Sequence, residues 1–390
     1  MEINILHCVT DEKFIDSMIE MTKVLWQDCC QYYVMISNRE GNFRYVHKIE
    51  DIINVNKKNF IKYINDNAIN AVILHGLASL PYDLIPKINK KILVVWFAWG
   101  YDIYMPYRHH PPLIKGISLY HEHTNKVMKM NIKKRMRRFC GYFLYCWQQP
   151  DIEKAISRVD YFSGVIPEEY NLITNEHYSF FKAESLVFNY NGMDCPFSEK
   201  NIMTPIACGC DIQIGNSADP TNNHIDVFEL LSYYSLGTKR IIVPLSYAGT
   251  NFYRNKVIEC GKELWGDKFI PLNTFIPIRQ YNDIMENSIY AIFYHERQQA
   301  MGNIFSSLWR GCMVFISKTS PVYTHLKRIG YIFYTIQDDL YRIEANEKMS
   351  LESVMTNRKL LIKYHSIDAE EFKSLQILET FRERIDKTRQ

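Results

Sequence analysis

The chain has 390 residues, with 46 Lys and Arg against 43 Asp and Glu and a formal net charge of +3. That length predicts two or three domains with real cores, and 47% hydrophobic against 23% charged residues excludes a disordered chain. A charge this small excludes nucleic-acid binding driven by net charge, so any basic site must come from local clustering. The 27 Tyr and 21 Phe read as a compositional habit of the source genome. No segment approaches the roughly 18 apolar residues that a membrane-spanning helix needs. The N-terminal segment lacks the basic region and small-residue cleavage site of a signal peptide, so the chain is expected to stay in the cytoplasm. Its ten Cys then read as reduced thiols, and neither Cys29–Cys30 nor Cys208/Cys210 has a partner pair at zinc-site spacing. No metal and no cofactor is expected.

Short β-branched runs alternate with amphipathic segments of helix length, the pattern of βαβ units and parallel sheets. Strands are predicted at Ile3–Val9, Tyr32–Ser37, Ala71–His75, Ile92–Ala98, Tyr161–Ile166 and Leu186–Tyr190, with a helix over Asp11–Trp26 and a long one within Pro112–Trp147. A linker is expected over Met193–Pro205. A second series of strands follows at Asp211–Gly215, Arg240–Leu245, Lys268–Leu272, Tyr290–Tyr294 and Met313–Ser317. The charged segment Ser350–Gln390 reads as terminal helix. The pattern therefore predicts two doubly wound α/β domains facing each other across a cleft. Residues just after the strands carry the functional information, because ligands bind outside the carboxyl ends of such sheets.

Several chemistries fail at this stage. There is no Walker loop, G-x-G-x-x-G, H-E-x-x-H or G-x-S-x-G, and no two Asp stand two apart, so the D-x-D metal clamp of one glycosyltransferase class is missing. What remains are polar segments after strands. Asp211 to Asp226 runs from a strand through Gly215, Asn216, Ser217 and Asp219 to a helix near His224, which Asn222 or Asn223 can cap; its amides form an anion seat or a plain capped turn. Tyr290–Tyr294 runs into His295, Glu296, Arg297, Gln298 and Gln299, where Arg can grip phosphate and Gln or Glu a base or sugar hydroxyl. In the first half, His75 follows one strand and Asp102 another, each a candidate base or a structural residue, Asp102 as a helix cap. The stretch Lys126–Phe139 carries Lys126, Lys129, Lys133, Lys134, Arg137 and Arg138 with no acid, the pattern of an interfacial helix on anionic lipid, of a solvated helix face, or of an RNA-binding patch.

At these residues the sequence resembles a known family. Ile214-Gly-Asn-Ser-Ala-Asp-Pro-Thr-Asn-Asn-His-Ile225 is similar to the G-N-S-x-D-x-S-N-x-H-I segment of the 4-acetamido-4,6-dideoxygalactose transferases of enterobacterial common antigen synthesis, glycosyltransferase family 56. Trp99-Gly-Tyr-Asp-Ile-Tyr104 resembles the family's W-G-x-D-x-Y, Val243-Pro-Leu-Ser-Tyr247 its V-P-x-x-Y, and Arg297-Gln-Gln-Ala-Met-Gly302 its R-Q-Q-x-x-G; His75-Gly76 also fits. Ala218 and Ala300 stand where the family has Gly, and the E-x7-E pattern of many retaining enzymes is absent, Ile304 lying eight residues after Glu296.

The resemblance implies a GT-B fold of two Rossmann-like domains: residues 1–195 facing acceptor and membrane, 205–350 binding the nucleotide sugar, and 351–390 as helices packing back on the first. It implies transfer of an amino-deoxyhexose from a dTDP- or UDP-linked donor to a polyprenyl-diphosphate saccharide, at the anionic cytoplasmic face of the inner membrane, without nucleic acid. The donor residues it implies are Gly215, Asn216, Ser217, Asp219, His224, Tyr247, Glu296, Arg297, Gln298, Gln299, Gly302 and Asn303, with Asp102 or His75 as base if transfer inverts the anomeric centre. A sugar-nucleotide 2-epimerase of the same fold, and a non-catalytic lipid- or RNA-binding module, are the rival readings.

Overall fold

Every strand pairing is parallel in the computed structural model, which describes residues 3–36, 43–104, 112–129, 151–187, 197–274 and 276–389. The strands form two sheets, one in each of two compact units. The first unit comprises Met1–Lys115, Phe139–Cys195 and Ile367–Gln390, and the second Gly116–Arg138 and Pro196–Ser366. The division departs from the expected boundaries at two places. The segment from Gly116, expected in the first domain, belongs to the second unit, and the terminal residues divide at Ser366.

The first sheet contains β1 (Ile3–Cys8), β2 (Cys29–Ile36), β3 (Ile52–Val55), β4 (Ala71–His75), β5 (Leu93–Phe97), β6 (Tyr161–Ser163) and β7 (Glu184–Ser185), in the order β3-β2-β1-β4-β5-β6-β7. Strands β4 and β5 are buried along their whole length and β1 everywhere but Asn4, because both faces are covered, as parallel sheets require. On one face Ile3, Ile5, Ala71, Ile73, Leu93, Val95 and Phe97 pack with Trp26 and with Ile377, Leu378, Phe381 and Ile385 of the helix Ile367–Arg389. Trp26 fixes that helix: its Nε1 donates to Ser374 Oγ at 3.0 Å, and its ring meets Phe381 edge-on at 6.0 Å. Toward β2 and β3 the same face, through Tyr33 and Ile52, packs on Ile15, Met18 and Ile19 of the helix Ile15–Leu25. That helix was expected from Asp11, but the Asp11 carboxylate accepts the amides of Arg44, Tyr45 and Val46, so it ties down the loop before β3.

The second sheet contains β8 (Asp211–Ile214), β9 (Ile241–Pro244), β10 (Phe269–Leu272), β11 (Ser288–Phe293), β12 (Met313–Ile316) and β13 (Tyr334–Thr335), in the order β10-β9-β8-β11-β12-β13. Both sheets thus reverse strand order once, between β1 and β4 and between β8 and β11, and these are the places where a doubly wound sheet opens a crevice. Strand β3 was missed because only its two ends are buried, and β13 because it spans two residues. Of the expected linker, Phe197 packs on Trp309 with ring centroids 5.3 Å apart, and the carbonyls of Ile202 and Thr204 each accept from Arg358 Nη1 at 2.7 Å. The expected terminal helix is two, Leu351–His365 and Ile367–Arg389, broken at Ser366 where ψ is 164°.

Candidate active-site residues

In the second unit the two predicted polar segments meet at the switch point. Gly215 leaves β8 with φ +65°, and a Cβ there would lie 2.5 Å from Asn222 Oδ1 and 3.0 Å from His224 Nε2, so only glycine fits. Asn222, fully buried, organises the loop. Its Nδ2 donates to the Ser217 carbonyl (3.1 Å) and the Asp219 carbonyl (2.9 Å), and its Oδ1 accepts from Asn216 N (3.0 Å) and His295 Nε2 (2.8 Å). Asn222 therefore does not cap the helix His224–Ser232. Asn223 occupies the cap position at φ +51°, but its side chain makes no capping bond; it donates to the Tyr294 carbonyl at 2.8 Å.

The segment after β11 closes on this loop. Gln299 Nε2 donates to Asn216 Oδ1 at 3.1 Å, while Thr221 Oγ1 lies 2.5 Å from Gln299 Oε1 and 2.7 Å from Asp219 Oδ1. Arg297 is half-buried: Nε donates to Thr221 Oγ1 at 3.3 Å and Nη1 to the Gln298 carbonyl at 3.2 Å, while Nη2 takes no partner among the described residues. Tyr247, after β9, joins the group through its carbonyl, which accepts from Ala218 N at 2.8 Å. Gly302 and Asn303 open the helix Met301–Arg310, whose N-cap Ala300 is held at φ +61°, the left-handed conformation that favours glycine. The structure thus brings Gly215, Asn216, Ser217, Asp219, His224, Arg297, Gln298 and Gln299 together, with Tyr247, Gly302 and Asn303 on adjoining loops.

Glu296 is placed differently from the expectation that it faces a base or sugar. Its Oε1 accepts from His121 Nε2 (2.8 Å) and Ser317 Oγ (2.7 Å), and its Oε2 from Thr319 Oγ1 (2.6 Å). Burial pushes its pKa up, but these three bonds outweigh burial and hold the carboxyl below its usual range. His295 is driven well below the usual histidine value by burial and then by Arg297 and His224, so it is neutral and donates through Nε2 to Asn222. His224, pushed down to about 3 by burial, keeps an unpartnered Nε2 beside Gly215 among the described residues.

In the first unit, Asp102 stands third in the short helix Gly100–Tyr104 just after β5. It is not the N-cap; its Oδ2 reaches back to accept from Trp99 N (3.0 Å) and Trp96 Nε1 (3.4 Å). Burial pushes its pKa up to about 7, against the bonds from Trp99, Trp96 and the Leu77 amide that favour the ionised form. A carboxyl poised near neutrality is matched to general-base work. Gly76 at φ +83° brings the chain against it: a Cβ there would lie 2.9 Å from the Tyr101 hydroxyl and 3.4 Å from Asp102 Oδ2. His75 has no such access. It is fully buried, its Nε2 lies 3.0 Å from His7 Nδ1, and burial followed by His7 drives its pKa well below the usual value. Of the two roles weighed for His75, its burial and its contact with a ring nitrogen of His7 favour the structural one.

Lys126 and Lys129 lie exposed on the helix Glu122–Lys129, Lys126 paired with Glu122 at 2.7 Å, while Thr124 and Met128 are buried against the second unit. Lys133, Lys134, Arg137 and Arg138 lie outside the described residues. No helix among the described residues is long and apolar enough to cross a membrane.

Residues 172–364, which span β8 to β13 and the whole second switch point, match the family model described as 4-alpha-L-fucosyltransferase, glycosyl transferase group 56. This segment is a family 56 glycosyltransferase domain. The whole chain shares its fold with solved glycosyltransferases. The lipopolysaccharide outer core galactosyltransferase WaaB is similar at a TM-score of 0.61 and 12% identity over 97% of this chain and 99% of that one. Anabaena HepE, solved with UDP-glucose, gives 0.63 at 9% over 97% and 100%. Sucrose-phosphate synthase of Thermosynechococcus elongatus gives 0.62 at 8% over 97% and 98%. At these identities the likeness is one of fold, the GT-B type with two Rossmann-like domains. The family 56 domain and this fold make the protein a glycosyltransferase of the hexosyl-transferring kind.

Sequence reasoning missed His121, Thr221, Ser317, Thr319 and His7. Thr221 lies inside the quoted motif, but His121 is 175 positions from Glu296, and no spacing rule could join them.

Proposed function

We propose that this glycosyltransferase takes an amino-deoxyhexose from a dTDP- or UDP-linked donor held by the second unit and adds it to a polyprenyl-diphosphate saccharide at the cytoplasmic face of the inner membrane. The observation that carries the reading is the second switch point, where the motif-bearing loops after β8 and β11 converge on a half-buried Arg297 whose Nη2 has no partner among the described residues. A guanidinium edge and the first amides of two helices form a seat for the departing diphosphate, stabilising the charge that develops as the glycosidic bond breaks. The solved HepE was crystallised with UDP-glucose, which supports a nucleotide-sugar donor here by analogy of fold. On the acceptor side, Asp102 takes the hydroxyl proton of the attacking saccharide in an inverting displacement. The basic stretch from Lys126 to Arg138 holds the protein on anionic lipid.

The test is incubation of purified protein with dTDP- and UDP-linked amino-deoxyhexoses and a polyprenyl-diphosphate saccharide, reading product by mass spectrometry. Transfer from one donor with anomeric inversion is expected. Donor epimerised without acceptor, or no turnover of any donor, refutes the reading. Reversing Lys133, Lys134, Arg137 and Arg138 to Glu should release the protein from vesicles containing anionic lipid, and unchanged sedimentation discards the membrane role.

A further inference from the structure

Glu296 has three protein donors and little exposure, so the group it presents is the one that matters: His121. The segment carrying His121 is stitched to both switch-point loops. His121 N donates to Asn223 Oδ1 at 3.0 Å, Asn223 Nδ2 donates to the Leu119 carbonyl at 3.2 Å, and the imidazole stacks on the Tyr294 ring with centroids 3.9 Å apart at 19°. One turn on, Asp226 accepts the amides of His123 (2.8 Å) and Thr124 (2.9 Å), fixing the start of the helix Glu122–Lys129. The imidazole is thereby held in place, with Nε2–H committed to a buried carboxylate. Among the described residues its Nδ1 takes no partner, and 29% of the side chain remains exposed.

A buried carboxylate that fixes one ring nitrogen leaves the other nitrogen preorganised toward a ligand. We propose that His121 is a positioning residue for the donor, its imidazolium Nδ1–H donating to the diphosphate of the nucleotide sugar. This inference rests on the second unit's being the donor-binding unit. The charged and titratable groups around the ring are Glu296 and Tyr294 after β11, Arg297 beside them, Asp226 on the helix His224–Ser232, and Glu122 and His123 on the same segment, with Lys126 paired to Glu122.

The test measures binding of UDP-glucose and dTDP-glucose to the full chain by calorimetry at pH 6.0 and 8.5, with UMP and dTMP as controls that lack the diphosphate. A diphosphate diester does not titrate in this range, so pH acts through the protein. Wild type should bind one sugar nucleotide about tenfold more tightly at pH 6.0. His121→Gln should bind it weakly and without pH dependence, leaving the monophosphates unaffected, while His121→Lys should restore tight binding at both pH values. His123→Gln should retain the wild-type profile. Equal affinities and equal pH profiles for wild type and both His121 variants overturn the inference while leaving the donor reading intact. Failure of wild type to bind any of the four nucleotides overturns that reading and the inference with it.

Discussion

Replacing Asp102 by asparagine separates a base from a structural hydrogen-bond acceptor. A buried carboxyl at about 7, against 3.8 in the unfolded chain, opposes folding wherever it must ionise. The folded pKa is raised, so between pH 3.8 and 7 the native state holds a proton that the unfolded chain has lost, and stability falls as pH rises through that window. At 1.36 kcal/mol per pH unit, the cost is about 1.7 kcal/mol at pH 5 and about 4.3 kcal/mol at pH 8, a difference of about 2.6 kcal/mol. Asparagine abolishes the titration at every pH. Its own hydrogen-bonding offset, set by the Trp99, Trp96 and Leu77 donors, is constant with pH. The stability of Asp102→Asn relative to wild type should therefore improve by about 2.6 kcal/mol between pH 5 and pH 8. Urea unfolding at the two pH values, followed by tryptophan fluorescence, reads this directly because Trp96 and Trp99 adjoin the site. Transfer by the same variant should fall by roughly 100- to 10,000-fold. A stability difference that is flat with pH shows that Asp102 is an ordinary ionised acceptor, and near-normal transfer removes it as base.

Four further outcomes follow from the same geometry. His224 and His295 are buried neutral in the second unit and titrate only when the chain unfolds; their folded pKa values are depressed, so stability is lost as pH falls through 6.5. Between pH 7.5 and 5.5 the second unit should lose about 2.7 kcal/mol, whereas in the first unit the similar loss at His7 and His75 is largely offset by Asp102. Hydrogen exchange resolved by segment checks this, and equal acid sensitivity of the two units contradicts it. Asn222→Ala strands the Asn216 amide and His295 Nε2, so the urea midpoint of the second unit should drop by the equivalent of about 3 kcal/mol; a loss under about 1 kcal/mol means the loop rearranges freely. Arg297→Ala removes a half-buried side chain with one bond to Thr221, so stability should change by less than about 1 kcal/mol while kcat falls roughly 100-fold or more. Unchanged kcat removes Arg297 from leaving-group stabilisation. Ala300→Gly relieves a left-handed alanine and should raise stability by about 0.5–1 kcal/mol in thermal unfolding; a loss means that the strain is not borne at Ala300.

Much of the fold was legible because buried parallel strands are unmistakable: Ala71–Leu74 is apolar throughout, and the predicted limits Ala71–His75 match β4. The elements that escaped carry no such signal, β3 because two of its four residues are exposed and β13 because it is too short for any periodicity. At the site, local grammar picked out loops that converge at the second switch point and could not see how their atoms pair. Gly215 reads as room for a phosphate, yet the space is filled by Asn222 and His224 of the same loop. Glu296 reads as a ligand group because its partners are His121, Ser317 and Thr319, at sequence separations of 175, 21 and 23. Spacing rules see neighbours along the chain, whereas hydrogen-bond saturation is a property of neighbours in space.

That distinction decides which polar residues of the second unit are free to act. Asn216, Thr221, Asn222, Asn223 and Gln299 satisfy one another across the two loops, and a buried polar network is stable only when its members are paired. Their chemistry is already used in making the loops rigid, so each affects a ligand through the shape it maintains. The nitrogens they frame that have no partner among the described residues, Arg297 Nη2 and His121 Nδ1, each belong to a side chain whose other nitrogens are engaged by the protein. Such a side chain gives up little rotamer freedom when an anion arrives. The polar loops are thus the scaffold that preorganises a guanidinium and an imidazole, and the motif residues need not touch the donor for the motif to be required.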